Sequence, residues 1–370
     1  MPGTEVGTVA EGRRISRDTV HRLVVGGLVL VLAAAGASLV RGLLPLDPAS
    51  LLNDVDATAS LAVAVGRRDL GSGVWRPLIV GSTDGVQWRA AAITLLETTE
   101  GDIVDVTDGG PGWVAGGSVS TDDRGGSAGG VWTSTDGLTW QRQGLQPVAY
   151  IHRVAVGDTG LMALASVADG TATLGRSRNG ADWTWSDPGI ELGGFSDIAW
   201  ATNEWIAVGF LSAGGDDLLP AIWRSTDGQA WTCQPLRVPE EFPRGHAIRV
   251  FPGATTTLIT GFVSPGCPGS ASCAAFVASW IPSRDGGWTR LDPNAIRRGP
   301  TTVDPDGSFI SLDAEGVWRS RDAATWERIA APPAGGWSEA VAVGPGGLIG
   351  VGVMDGVVIR PWIGLLPTAP

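Results

Sequence analysis

Lysine is absent: all 26 basic residues are arginine. A GC-rich coding sequence is the simplest cause, and no chemistry is drawn from it. Histidine and cysteine are scarce, at His21, His152, His246, Cys233, Cys267 and Cys273. None of them falls into metal-site spacing, so neither a metal centre nor a cofactor is expected. Tyr150 is the only tyrosine, which confines any tyrosine-nucleophile chemistry to one position. Positive charge is also short. The net charge is −12, and residues 1–41 hold five arginines against Glu5, Glu11 and Asp18, so the remainder carries −14. An acidic body of that size repels phosphate backbones, which excludes nucleic acid as a partner. Beyond the N-terminal segment no 3.6-residue apolar period is sustained, because glycine and proline interrupt it. Without helices there is no strand–helix elbow for a serine nucleophile and no phosphate cradle at a helix start.

What the chain has in quantity is turn-formers and tryptophan: 55 Gly, 24 Pro and 17 Trp, with 43% hydrophobic residues. That balance fits an all-β protein with many tight turns rather than a disordered one. The long apolar run is Leu23–Val40, LVVGGLVLVLAAAGASLV, bracketed by Arg22 and Arg41. About 20 such residues cross a bilayer as a helix, and Arg13, Arg14, Arg17 and Arg22 precede the run. The expected organisation is a cytoplasmic tail (1–21), a transmembrane signal-anchor helix (22–42), a linker (43–50) and an extracytoplasmic body (51–367). A signal peptide cleaved after Ala35-Gly36-Ala37 is the alternative, and both readings export the body. In an oxidising compartment Cys267 and Cys273 can close a Pro/Gly/Ser loop as a disulfide; three free thiols are the other reading.

One signature recurs in the body: serine, Asp or Asn two residues on, usually glycine next, and a closing tryptophan. The regular copies are Ser82-Thr-Asp84-Gly85-Val-Gln-Trp88, Ser134-Thr-Asp136-Gly137-Leu-Thr-Trp140 and Ser225-Thr-Asp227-Gly228-Gln-Ala-Trp231. Weaker copies run Ser177 to Trp183 through Asn179, Ser283 to Trp288 through Asp285, and Ser320 to Trp326 through Asp322. Their starts lie 52, 43, 48, 58 and 37 residues apart, the spacing of one supersecondary unit per repeat. A second tryptophan precedes four boxes (Trp132, Trp223, Trp280, Trp318), so ten of the 17 are accounted for as packing. Runs ending near V-x-V-G recur at Leu61–Gly66, Trp113–Gly117, Leu161–Ser166, Trp205–Gly209, Thr257–Gly261, Ser308–Leu312 and Leu348–Gly352, one per unit. The expected fold is therefore an all-β propeller of seven four-stranded blades, with six or eight as alternatives, preceded by one N-terminal transmembrane helix.

The boxes resemble the Asp-box or BNR repeat of sialidases, sortilin-type receptors and photosystem assembly factors, here one residue shorter than the usual S-x-D-x-G-x-x-W. The resemblance covers roughly residues 50–365 and implies a propeller whose box residues are structural turns opposite the functional face. In sialidases it also implies an arginine triad, a Tyr–Glu nucleophile pair and an Asp acid/base. Those are not recovered. Tyr150 lies too early in the chain, and Trp75-Arg76-Pro77 and Arg360-Pro361 are poor matches to the family's arginine motif. No catalytic residues are expected.

Propeller topology puts the boxes on one face and the long second-to-third-strand loops on the other. The charged residues there are the candidate ligand contacts: Arg67, Arg68, Asp69 and Arg76; Asp122, Asp123 and Arg124; Asp216 and Asp217. The function expected is a membrane-anchored recognition or scaffold module of the cell envelope, holding a glycan, a small molecule or an envelope protein. A sialidase-like glycoside hydrolase and an assembly factor for an envelope complex are the alternatives.

Overall fold

The computed structural model describes residues 50–71, 73–94, 100–121, 126–189, 193–212, 218–265, 274–331, 337–354 and 360–365. Everything below concerns these residues. They build antiparallel sheets from strands consecutive in the chain. The innermost strands are Ser50–Ala57, Gly101–Gly109, Tyr150–Gly157, Gly193–Ala201, Arg244–Pro252, Thr301–Val303 and Trp337–Gly344. Each packs against the innermost strand of the next sheet, and the last packs back against the first. The recurrent V-x-V-G runs are the second strands, buried on both faces, as at Ala62–Val65 and Val114–Ala115.

Seven apolar clusters form the core, one between each pair of neighbouring sheets. Box tryptophans are among their largest members. Trp140 is fully buried and its indole N–H donates to Gly137 O at 2.8 Å, which locks the ring beneath its own turn. Within each box the serine hydroxyl donates to the Asp or Asn oxygen (Ser134 to Asp136, 3.0 Å; Ser177 to Asn179, 3.2 Å). That oxygen accepts the next two free backbone N–H groups, from Leu138 at 2.8 Å and Thr139 at 2.7 Å in the second box. Glycine at the fourth place is dictated by the backbone. Gly137 has φ 69°, and a Cβ there would lie 2.4 Å from the Leu61 side chain. The sixth box breaks the rule, with Ala323 at φ 60°.

Two expectations are corrected. The first is the regular set of seven four-stranded blades. Among the described residues there are six complete four-stranded blades, not seven; Trp337–Gly344, Gly347–Met354 and Arg360–Leu365 make only a three-stranded sheet. The second sheet has a fifth strand, Ala92–Thr94, which pairs parallel to Thr139–Arg142. Arg360–Leu365 is the third strand of that last sheet, and Ser50 belongs to the innermost strand of the first. The second correction concerns the membrane helix. No helix among the described residues is long and apolar enough to cross a membrane; the one helical element is the 3-10 turn Pro293–Ala295. The run expected to span (22–42) lies outside the described residues.

Candidate functional site at the propeller axis

The inner strands share an irregularity. Register slips by one residue at Leu52/Asp54, Ile103/Asp105, Ile151/Arg153, Phe195/Asp197, Ala247/Arg249 and Ser338/Ala340. The short inner strand Thr301–Val303 pairs without a slip. A one-residue bulge turns the following side chain out of the alternation of the strand. The residues so placed are Asp54, Asp105, Arg153, Asp197, Arg249 and Ala340.

Three of the carboxylates reach across to the next sheet. Val106 N–H donates to Asp54 (3.1 Å), Val154 N–H to Asp105 (2.6 Å) and Val250 N–H to Asp197 (2.9 Å). In every case the donor follows the bulge-placed residue of the neighbouring strand. Asp56 repeats the device with Asp108 N–H at 2.8 Å. Arg153 completes the arc: it donates to Asp105 at 3.1 Å and lies 3.5 Å from Asp197.

Burial dominates the electrostatics. It pushes the Asp56 carboxyl up to about 6 and the Asp105 carboxyl up to about 7, the latter against the pull of Arg153. Asp54 is raised for the same reason. The two arginines behave oppositely. Burial works against the charge of Arg153, but Asp105, Asp197 and Asp54 outweigh it and hold the pKa up. For Arg249 burial, reinforced by Arg153, wins and pushes the pKa down.

At the loop-face end of the same strands lies a polar and aromatic rim. Asp102 accepts from Arg67 (3.0 Å) and from Asn53 (2.8 Å), and the Arg67 guanidinium stacks 4.2 Å over the Trp75 ring. Burial and the charge of Asp102 hold the Tyr150 phenol un-ionised. Tyr150 packs on His152 with ring centroids 4.8 Å apart, and His152 bonds Ser166 at 3.0 Å. Ser196 and His246 share a 2.6 Å hydrogen bond, with Phe210 and Phe262 edge-on to the imidazole.

Of the ligand contacts expected from sequence, only Arg67 joins this rim directly. Arg68 lies one residue further out, opposite Arg76, whose side chain is exposed. Asp69 caps its own loop by accepting Gly71 N–H at 2.7 Å. Asp122, Asp123, Arg124, Asp216, Asp217, Cys267 and Cys273 lie outside the described residues; Cys233 is free and exposed. The expected set missed Asn53, Asp54, Asp102, Asp105, Arg153, Asp197 and Arg249. A signal for them exists: Leu52-Asn-Asp-Val55, Ile103-Val-Asp-Val106, Ile151-His-Arg-Val154, Phe195-Ser-Asp-Ile198 and Ala247-Ile-Arg-Val250 each set a charge directly before an aliphatic residue in an otherwise apolar strand.

The box residues occupy the opposite end of the sheets. Asp84, Asp136, Asp227, Asp285 and Asp322 are spent on their own turns, and the N–H groups of Leu138 and Thr139 hold the Asp136 carboxyl down to about 2.

No protein-family model matches this chain, and no curated protein matches it. Solved structures do. The β-propeller domain of the trilobed protease from Pyrococcus furiosus aligns over 85% of this chain and 94% of that one, at 11% identity and a TM-score of 0.51. A GH43 β-1,3-galactosidase aligns over 64% and 92%, at 12% identity and 0.42. An exo-β-1,3-galactanase from Phanerochaete chrysosporium aligns over 81% and 73%, at 14% identity and 0.42. Identities this low speak to architecture alone: the chain is a β-propeller.

Proposed function

We propose that this propeller is a recognition module whose polar ligand sits over the axis at the loop face. The observation that carries this reading is the convergence of Asn53 and Arg67, Asp102, Tyr150, and Ser196 with His246, from five different sheets, on one rim. Stacking rings beside paired donors and acceptors suit a hydroxylated ligand such as a glycan, whose ring faces are apolar and whose edges are polar. Membership of the Asp-box group is part of the same proposal, supported by six turns sharing one hydrogen-bonding plan. So is a setting outside the cytoplasm, supported by the arginines ahead of the 23–40 run.

Hydrolysis through Tyr150 is disfavoured. A phenol nucleophile needs a free neighbouring base. Asp102, the carboxylate within its electrostatic reach, is already engaged by Arg67 and Asn53. The test is a glycan array probed with the full chain, alongside fluorogenic glycosides. Binding that disappears in Arg67→Ala and survives Asp136→Asn is the expected result. Binding indifferent to Arg67, or turnover lost in Tyr150→Phe, would overturn the reading.

A further inference from the structure

Among the described residues five large apolar side chains are exposed: Leu70, Leu138, Leu145, Phe276 and Val277. Their placement is lopsided. Leu138 sits in the second box turn, and the other four lie towards the loop face. Leu70 is in the loop after the second strand of the first sheet, where its N–H donates to Val74 O at 2.9 Å. Leu145 is in the connection from the second sheet to the third, and Phe276 and Val277 open the third strand of the fifth. Phe242, in the connection that leads into the fifth sheet, joins Phe276 with ring centroids 5.0 Å apart. Charge divides the faces the same way. The box turns expose Asp84, Asp136, Asp227, Asp285 and Asp322, whereas the hairpin that carries Leu70 exposes Arg76.

The chain also enters the propeller at the loop face. Ser50 opposes Arg68 at the loop end of the first hairpin, while Ala57 opposes Ala62 beside the first box. In the sequence only residues 41–49 separate Ser50 from the uncharged run 23–40. A link of that length reaches at most about 35 Å. A run of that composition leaves water for an apolar phase, so the phase it enters lies within reach of this end of the ring. Apolar side chains scattered singly over a surface mean little. Gathered on one face with arginine, at the end where an apolar run is tethered, they suit the boundary between lipid headgroups and acyl chains. We propose that the loop face rests on a lipid surface, with Leu70, Leu145, Phe276 and Val277 set below the headgroups and Arg76 at the level of the phosphates. The inference goes beyond the recognition reading and does not depend on it; it adds the surface at which the ligand of the rim is met.

The test is hydroxyl-radical footprinting of the full chain on phosphatidylcholine vesicles, read residue by residue by mass spectrometry. Leu138 is the internal control: it is 38% exposed, against 48% for Leu70 and 52% for Leu145. Exposure alone makes Leu138 the slowest of the three leucines to oxidise. On vesicles the order should invert, with Leu70 and Leu145 oxidised several-fold more slowly than Leu138. The protection should persist as the ratio of lipid to protein is raised. A second measurement uses a polarity-sensitive dye on Val277→Cys, in a chain whose Cys233, Cys267 and Cys273 are replaced by serine. Its emission should shift to the blue on vesicles, and the same dye on Leu138→Cys should not respond. A chain that does not float with the vesicles, leucines oxidised in the order of their exposure, or dyes that respond alike overturns the lipid contact. So does protection that fades as lipid dilutes the protein, which marks a second copy or another protein on this face. Glycan binding through Arg67 is read separately, so either reading can fail while the other stands.

Discussion

Asp136 shows how little of a side chain the box uses. One oxygen takes the Ser134 hydroxyl and two backbone N–H groups. Asn179 does the same with its amide oxygen, accepting from Ala181 at 3.0 Å and Asp182 at 2.9 Å. Asp136→Asn should therefore cost little, while Asp136→Ala, which strands both N–H groups, should cost about 1–2 kcal/mol in denaturant unfolding, as lost caps do. Trp140→Ala removes a fully buried indole from the cluster between the first two sheets and should cost about 3–5 kcal/mol. If the two alanine variants proved equally mild, the tryptophan would not be the packing element described here.

At the scale of the strand, the boxes and the V-x-V-G runs were readable because each repeats a local rule: turn chemistry in one, burial on both faces in the other. The bulges were not. Ile103-Val-Asp-Val106 reads as an apolar strand with one stray charge, and nothing local says that the charge belongs to the neighbouring sheet. The pairing partner is set by the ring, some fifty residues away. For the same reason Asp69 and Arg76 looked equivalent to Arg67 in sequence, although only Arg67 turns inward to Asp102. The cross-sheet bonds carry a prediction of their own. Asp197→Ala leaves a buried Val250 N–H unpaired and removes one of the two carboxylates beside Arg153. It should destabilise by more than Asp54→Ala, whose position is more exposed, and a double-mutant cycle should show Asp197 coupled to Arg153.

For the whole molecule the two sets of aspartates pull stability in opposite directions with pH. Asp56 and Asp105 bind protons more tightly folded, at about 6 and about 7, than at the ordinary 3.8. Their contribution favours folding below the ordinary value and is lost as pH rises through 6 and 7. Asp136 and Asp322, held at about 2, favour folding above 3.8 and lose that contribution as pH falls towards 2. Tm should therefore peak in the range of about pH 4–5, and Asp56→Asn should flatten the alkaline limb alone. A peak above pH 7 would contradict the burial of the axial acids. The propeller architecture was legible from the repeat period. The strand content of the last sheet was not, since its unit has no box to mark the outer hairpin, and the parallel fifth strand at Ala92–Thr94 follows no repeat rule.

The carboxylate and guanidinium contacts run from the first sheet to the second, third, fourth and fifth, and stop there. Among the described residues, the joints on either side of the sixth sheet have apolar packing but no such inner contact. The inner charges thus clasp four joints, whereas the joint between the fifth and sixth sheets is tied instead at its turns, where Ala254 N–H donates to Gly307 O at 3.0 Å and the Thr255 hydroxyl to Arg321 O. Strain placed on the hoop, by heat or by a ligand wedged into the axis, will be relieved where no inner charge clasps the joint. Amide exchange should be fastest there.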